Sequence, residues 1–241
     1  MLQLRDNTAR AKQIISIFWI MFGITIADMI SLGWQYYLLI DVQANPGNID
    51  MEILKTSDTL RQIITIVNIL IIILAVVFFI MWFRRAYYNL HTIAWNNARY
   101  TEGWAAGSWF VPVVNLWWPY QIMVDIWKGT QHAIRERFGE PQPTALIGWW
   151  WALRLIDIFF GNITARFSAS ANDIDELLTA TRLEFIGNII TIPTIIITIA
   201  LIQRTSNFEK ELLIHSETPP DSIFSDNYVL PPANTESKIE N

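Results

Sequence analysis

GWAAGSWFVPVVNLWWPYQIM, residues 103–123, is as long and uncharged as a membrane span, yet it carries two prolines, an asparagine and a glutamine. Whether it crosses a bilayer or enters and turns back decides the fold. Pro112 and Pro119 lack an amide hydrogen, and within a helix each would free the carbonyl four residues earlier, at Ser108 and Asn115. Hydrocarbon offers such carbonyls no donor, so broken backbone at membrane depth is sheltered by protein or lines a cavity. The residues therefore point to a re-entrant or interfacial hairpin, with a kinked true span as the alternative.

Four other apolar runs flank this stretch, at about residues 14–40, 62–83, 144–163 and 184–203. As helices rising 1.5 Å per residue they reach roughly 30 Å, the thickness of the hydrocarbon core. The first run follows Arg5, Arg10 and Lys12 like a secretory signal, but it is too long, lacks a small-residue cleavage site and is followed by more spans. It reads as an uncleaved span. Residues 41–61, with an Asn45-Pro46-Gly47 turn, and 164–182 read as polar loops, Ser170 and Asp173 forming a capping box ahead of the last helix.

Lys and Arg in short loops are retained on the cytoplasmic side. With 103–123 not crossing, twelve cationic residues, among them Arg84 and Arg85, lie inside and four, Lys55, Arg61, Arg166 and Arg182, outside. With 103–123 crossing, the division is eight against eight. The asymmetric count selects four spans, with both termini cytoplasmic. Residues 1–13 are then a cytoplasmic N-terminus, 14–204 a helical membrane domain, and 205–241 an acidic, disordered tail.

Beside the hairpin the chain reads as amphipathic helix. Phe83, Tyr87, Leu90 and Ala94 line one face opposite Arg84, Asn89, His91 and Asn96; Met123, Ile126, Trp127, Thr130, Ala133, Ile134 and Phe138 oppose Asp125, Lys128, Gln131, His132 and Arg135. These faces lie against the membrane surface or against each other. Nine of the twelve tryptophans fall between residues 95 and 151, which fits interfacial anchoring, with a ligand groove as the alternative.

Composition supports the same class, since 52% of the 241 residues are hydrophobic and only 16% charged. Cysteine is absent, which excludes disulfides, thiolate nucleophiles and thiolate metal sites. The three histidines are scattered without metal-ligand spacing, and no phosphate-binding glycine loop, dinucleotide fingerprint or nucleophile elbow occurs. No cofactor, metal or nucleic-acid partner is indicated, and an enzyme is the less favoured class.

FRRAYYNL at 83–90, the long pattern GWAAGSWFVPVVNLWWPYQIMVDIW at 103–127 and WWWAL at 149–153 resemble the bacterial multi-pass membrane family called domain of unknown function 4328. The resemblance implies a protein of the bacterial cytoplasmic membrane with Gly103, Trp104, Gly107, Trp109, Pro112, Asn115, Trp117, Pro119, Tyr120 and Gln121 forming its central motif. It implies no activity.

The chemistry rests on three ionisable residues within the spans. Asp28 lies near the middle of the first run, and Arg154 and Asp157, three residues apart on one helical face, near the middle of the third. Charges at such depth face the bundle interior and find partners, so the three are expected to converge. Such a cluster either fixes helix register or serves a proton relay or cation site. Gly103 and Gly107, with Ala105, Ala106 and Ser108, offer a small-residue face for packing within the protein or with another copy. Asn115 is expected to bond the carbonyls released by the prolines. Two functions are compatible with these features: a non-enzymatic membrane-embedded interaction or accessory module meeting lipid, a membrane-protein partner or a second copy, and a small transporter or channel built on Asp28, Arg154 and Asp157.

Overall fold

The computed structural model describes residues 3–45, 50–93, 96, 98–135 and 140–217. Regular structure among these residues is entirely helical. Four long helices, α1 (Thr8–Ala44), α2 (Met51–Thr92), α5 (Ala145–Ser170) and α6 (Ile174–Glu217), each contain a stretch long and apolar enough to span a membrane. Between α2 and α5 lie a single turn, α3 (Trp104–Gly107), a 3-10 turn (Val114–Leu116) and α4 (Trp118–Ala133). The predicted Pro46–Gly47 turn, Ala94 and Phe138 of the amphipathic faces, and the acidic stretch from 218 onward lie outside the described residues.

The helices extend well into the segments expected as loops, leaving connections at 45–50 and 171–173. Local capping explains the boundaries. The Asp50 carboxylate accepts the N–H groups of Glu52 and Ile53 at the start of α2. At α6 the capping box is Asp173 with Glu176: Asp173 Oδ1 accepts the Glu176 N–H at 2.8 Å while Glu176 Oε2 accepts the Asn172 N–H at 2.7 Å. Ser170, expected in that role, instead donates to the Phe167 carbonyl at the end of α5. At the other end α6 continues through 205–217, the start of the expected tail, because Leu201, Thr205, Phe208 and Leu212 recur every three to four residues and are all buried.

Paired side chains fix the helix order. Asn7 meets Glu209, Asp28 meets Asn188, Tyr36 meets Arg182 and Gln43 meets Asp175, so α1 and α6 run antiparallel along their whole length. α2 flanks α1 and α5 flanks α6. The four helices thus form a row, α2–α1–α6–α5, whose outer members are not packed backbone to backbone. The long helices expose bands of Ile, Leu, Val and Phe, such as Ile30, Ile63, Ile66, Ile73, Phe159 and Ile189, the arrangement a helix facing lipid requires.

Close packing is concentrated at the end of the bundle that holds the start of α1 and the end of α6. Phe79, Trp82, Phe83, Tyr87 and Leu90 of α2 meet Ile122, Met123, Ile126 and Trp127 of α4, Trp150 of α5 and Phe208 of α6. The predicted apolar faces of α2 and α4 are therefore turned against each other. Asn89 and Asp125, expected on the polar faces, are buried with them, and Ala133 is exposed.

The 103–123 stretch does not cross the bundle. Its two ends meet, Trp104 packing edge-on against Trp118 with ring centroids 4.5 Å apart, and Tyr100 stacking on Trp118 at 4.1 Å. Between them the chain climbs far enough for Trp109 to reach Phe79 and Phe83 of α2 and Trp151 of α5, then returns. Pro119 falls in the first turn of α4, where no intrahelical N–H is needed, so it opens a helix rather than breaking one. Asn115, expected to bond freed carbonyls through its side chain, makes no side-chain hydrogen bond among the described residues; its backbone N–H donates to Val111 at 2.8 Å.

Trp127 is fully buried, donates to the Gln142 carbonyl at 3.1 Å and meets Phe208 edge-on. Trp127→Ala should cost about 3–5 kcal/mol, whereas Trp149→Ala, at a largely exposed position, should stay within about 0.5 kcal/mol. Reversible unfolding in detergent followed by circular dichroism measures both.

Candidate functional site

Asp28 is held, but not by Arg154. Arg61 Nη1 lies 3.0 Å from Asp28 Oδ1, and Asn188 Nδ2 donates to Asp28 Oδ2 at 2.8 Å. The same guanidinium pairs with Glu184, whose other oxygen accepts the Ser168 hydroxyl at 2.9 Å. Asp28 and Asp157 border one cavity and Arg154 the adjoining one, but the direct partners of Asp28 are Arg61 and Asn188, not Arg154. The cause is the length of α2: Arg61, read as a loop residue, lies inside the helix 23 residues before Arg84. That is about 35 Å at 1.5 Å per residue. If Arg84 marks one membrane boundary, Arg61 and its carboxylates sit near the other, where partly hydrated charge is tolerable.

Arg154 and Asp157 occupy a cleft between the outer helices α2 and α5, floored by α1 and α6. A cavity of about 310 Å³ bounded by Asp28, Arg61, Asn68, Asp157, Glu184 and Asn188 adjoins one of about 100 Å³ beneath it. Ile72, Asp157 and Thr191 belong to both. Asp157 accepts the Thr191 hydroxyl at 2.6 Å. Although a single turn separates them, Arg154 and Asp157 form no ion pair. Arg154 makes no hydrogen bond among the described residues: its Nε is buried without an acceptor, and its guanidinium carbon lies 5.1 Å from the Trp109 ring centroid. Trp109 and Trp150 close the cleft on that side.

The hairpin motif supports this closure. Trp151 Nε1 donates to the Leu116 carbonyl at 3.2 Å, Tyr100 donates its hydroxyl to Gln121, and the Trp117 and Tyr120 rings form a tilted pair. Of the small residues, Ala105 and Ser108 are buried, a Cβ on Gly107 would stand 3.5 Å from the Trp104 ring of its own turn, and Gly103 is exposed with nothing within 4 Å of such a Cβ. Pro112 lies exposed near the tip. Arg84 approaches Glu102 at 3.8 Å and Arg85 donates to the Asp6 carbonyl, both at the end of the bundle that carries the chain's beginning. Among the described residues no group of three His, Asp or Glu is placed to hold a metal ion.

Two polar networks beneath the hairpin were not anticipated from the sequence. Asn7 Nδ2 donates to Glu209 Oε2 at 3.0 Å and to the Trp82 carbonyl; Asn89 Nδ2 donates to Glu209 Oε1 at 3.0 Å and to the Arg5 carbonyl. Burial pushes the Glu209 carboxyl up to about 7 despite both amide donors. Asp125, buried on α4, accepts the Arg99 N–H at 3.1 Å, and burial raises its carboxyl above the ordinary range. The Tyr87 hydroxyl, donating to the Tyr100 carbonyl at 2.9 Å, is pushed by burial up to about 12. Asn7 and Glu209 stand 202 residues apart, in segments read as a free terminus and a tail, so no local pattern links them.

Because the folded protein holds the Glu209 proton to about pH 7 while an unfolded chain releases it near 4.5, folding retains a proton across that window. Wild type should therefore lose stability relative to Glu209→Gln as pH rises from about 4.5 to about 7, and the difference should level off above that range. Unfolding midpoints of both proteins across the window measure it; parallel curves would contradict the assignment.

No curated protein and no solved structure gives a significant match to the chain. The family described as domain of unknown function 4328 matches residues 45–207, a segment running from the end of α1 through the hairpin to the buried part of α6. With most of its length covered by that match, including every residue of the hairpin and both cavity-lining carboxylates on α5 and α6, the chain belongs to the family of the domain of unknown function 4328.

Proposed function

We propose that this protein is a non-enzymatic, membrane-embedded binding module, seated in a bacterial cytoplasmic membrane with both termini inside and the 103–123 hairpin dipping into the inner leaflet. The observation that carries the reading is the cleft between α2 and α5. A row of four helices that leaves its outer members apart opens a polar interior toward lipid, and polar groups facing hydrocarbon require cover. An occupant from the membrane, lipid or protein, supplies that cover. The concentration of packing at one end supports the same reading: the hairpin and α4 brace the helices there, so the open side persists without collapsing.

A transporter built on Asp28, Arg154 and Asp157 is the rival. Asp28 is already bonded at both oxygens by Arg61 and Asn188, which favours a structural use for that carboxylate. Of the three residues, that leaves Arg154 and Asp157 for transport to be built on.

Three measurements test the proposal. Native mass spectrometry after mild extraction should find one occupant per chain, lost when Ile72→Trp fills the place where the two cavities join. Proteoliposomes carrying wild type should dissipate a proton gradient no faster than those carrying Ile72→Trp; flux abolished by Asp157→Asn would replace the binding reading with transport. For topology, the chain lacks cysteine, so Lys128→Cys should be labelled only from the cytoplasmic side and Lys55→Cys only from the opposite one. Labelling of both from one side would overturn the layout.

A further inference from the structure

We propose that the Arg154 cavity binds the carboxyl head of a long-chain fatty acid, its chain leaving between α2 and α5 into the bilayer. The inference rests on the binding-module reading and names its ligand. Arg154 is the cationic donor in this cavity left without an acceptor among the described residues, beside the equally unpartnered Trp109 Nε1: its own Nε is fully buried, no ion pair reaches it, and its guanidinium lies over the Trp109 ring. A guanidinium carries five N–H donors in a planar fork matched to two oxygens on one carbon. The cavity before it, about 100 Å³, is far larger than the ~10–15 Å³ that one water needs.

The surroundings select the rest of the molecule. Phe18, Met21, Ile72, Val76 and Phe79 form apolar walls, so whatever meets Arg154 must carry hydrocarbon behind its polar end. Asp157 completes the head site. It already accepts the Thr191 hydroxyl and balances the charge of Arg154 without touching it. A ligand bringing a full negative charge would leave the cleft with an excess, a costly state at this depth. A carboxylic acid does not: its carbonyl oxygen accepts from Arg154 and its O–H donates to Asp157, leaving the pair's net charge unchanged. A phosphodiester head has no proton to give Asp157 and adds a charge. An acylglycerol has no carboxyl group, but its ester carbonyl and glycerol hydroxyls offer an acceptor and a donor spread over more atoms.

The test uses the full chain, delipidated and placed in phosphatidylcholine nanodiscs, with oleic acid, monoolein, methyl oleate and phosphatidylglycerol as probes. Oleic acid should bind at one per chain; methyl oleate, which cannot donate, should bind at least tenfold more weakly, as should phosphatidylglycerol. Arg154→Met should weaken oleic acid at least tenfold, and Val76→Trp, which keeps both charged residues and fills the cavity, should do the same. Asp157→Asn should narrow the gap between oleic acid and methyl oleate. Size-exclusion profile and circular dichroism establish that each variant is folded; should Arg154→Met fail, Val76→Trp decides. Tighter binding of monoolein would transfer the site to acylglycerols and overturn the fatty-acid assignment, as would stronger binding of phosphatidylglycerol or oleic acid binding untouched by both variants. If wild type carries an occupant from its native membrane yet binds no oleic acid, this inference fails and the module reading stands. If the cleft is empty in both experiments, both fail.

Discussion

Hydrocarbon cannot solvate a peptide group or an ion, and several polar side chains that this chain carries into its helical bundle answer to that constraint. Thr25, Thr194 and Thr198 turn their hydroxyls back onto carbonyls one turn earlier in their own helices. Asp28 is bonded at both oxygens, Asn188 spends its amide on Asp28, and Asp157 takes the Thr191 hydroxyl. Several buried groups keep no hydrogen-bond partner among the described residues, such as the Ser31 and Thr164 hydroxyls and Trp109 Nε1, and Arg154 is the guanidinium in that set, with nothing supplied to its Nε.

The same constraint explains the two zones of the molecule. Helices that meet lipid gain nothing by hiding Ile or Leu from it, so the spans pack sparsely and leave room for a cleft. Below them, where water returns, apolar burial is again favourable, and Trp82, Trp127, Trp150, Tyr87 and Phe83 are gathered into a dense core by the hairpin and α4. The tryptophans described between residues 104 and 151 therefore serve mainly as internal packing, though Trp117 and Trp149 remain exposed as interfacial anchors would be.

Much of this was legible in the chain. Run length and hydropathy identified the four long helices, and the prolines of 103–123 marked a stretch that is no continuous helix and whose two ends meet. The apolar faces of Phe83, Tyr87 and Leu90, and of Met123, Ile126 and Trp127, were readable from helical periodicity. What escaped was long-range pairing. Arg61 lies in a polar stretch and gives no local sign that α2 is already helical there; Glu209 sits in a charged segment whose helical stripe of Leu201, Thr205, Phe208 and Leu212 is thin. Asn89 and Asp125 were placed on solvent faces because periodicity assigns polar residues outward, and only the packing of a second element can reverse that. Three ionisable groups at similar places in their sequences suggested one cluster, but helix length and overlap, which set their heights, are not written in any one run.

α6 links the distant parts of the molecule without interruption, from Glu184 beside Arg61, through Thr191 at the cleft, to Glu209 beneath the hairpin. Pro193 lies within that rod, two residues beyond Thr191, and removes one rung from its ladder. A bend there would swing the lower half as a lever about a fixed upper half, so that filling or emptying the space beside Thr191 would move Glu209 against Asn7 at the far end of the bundle.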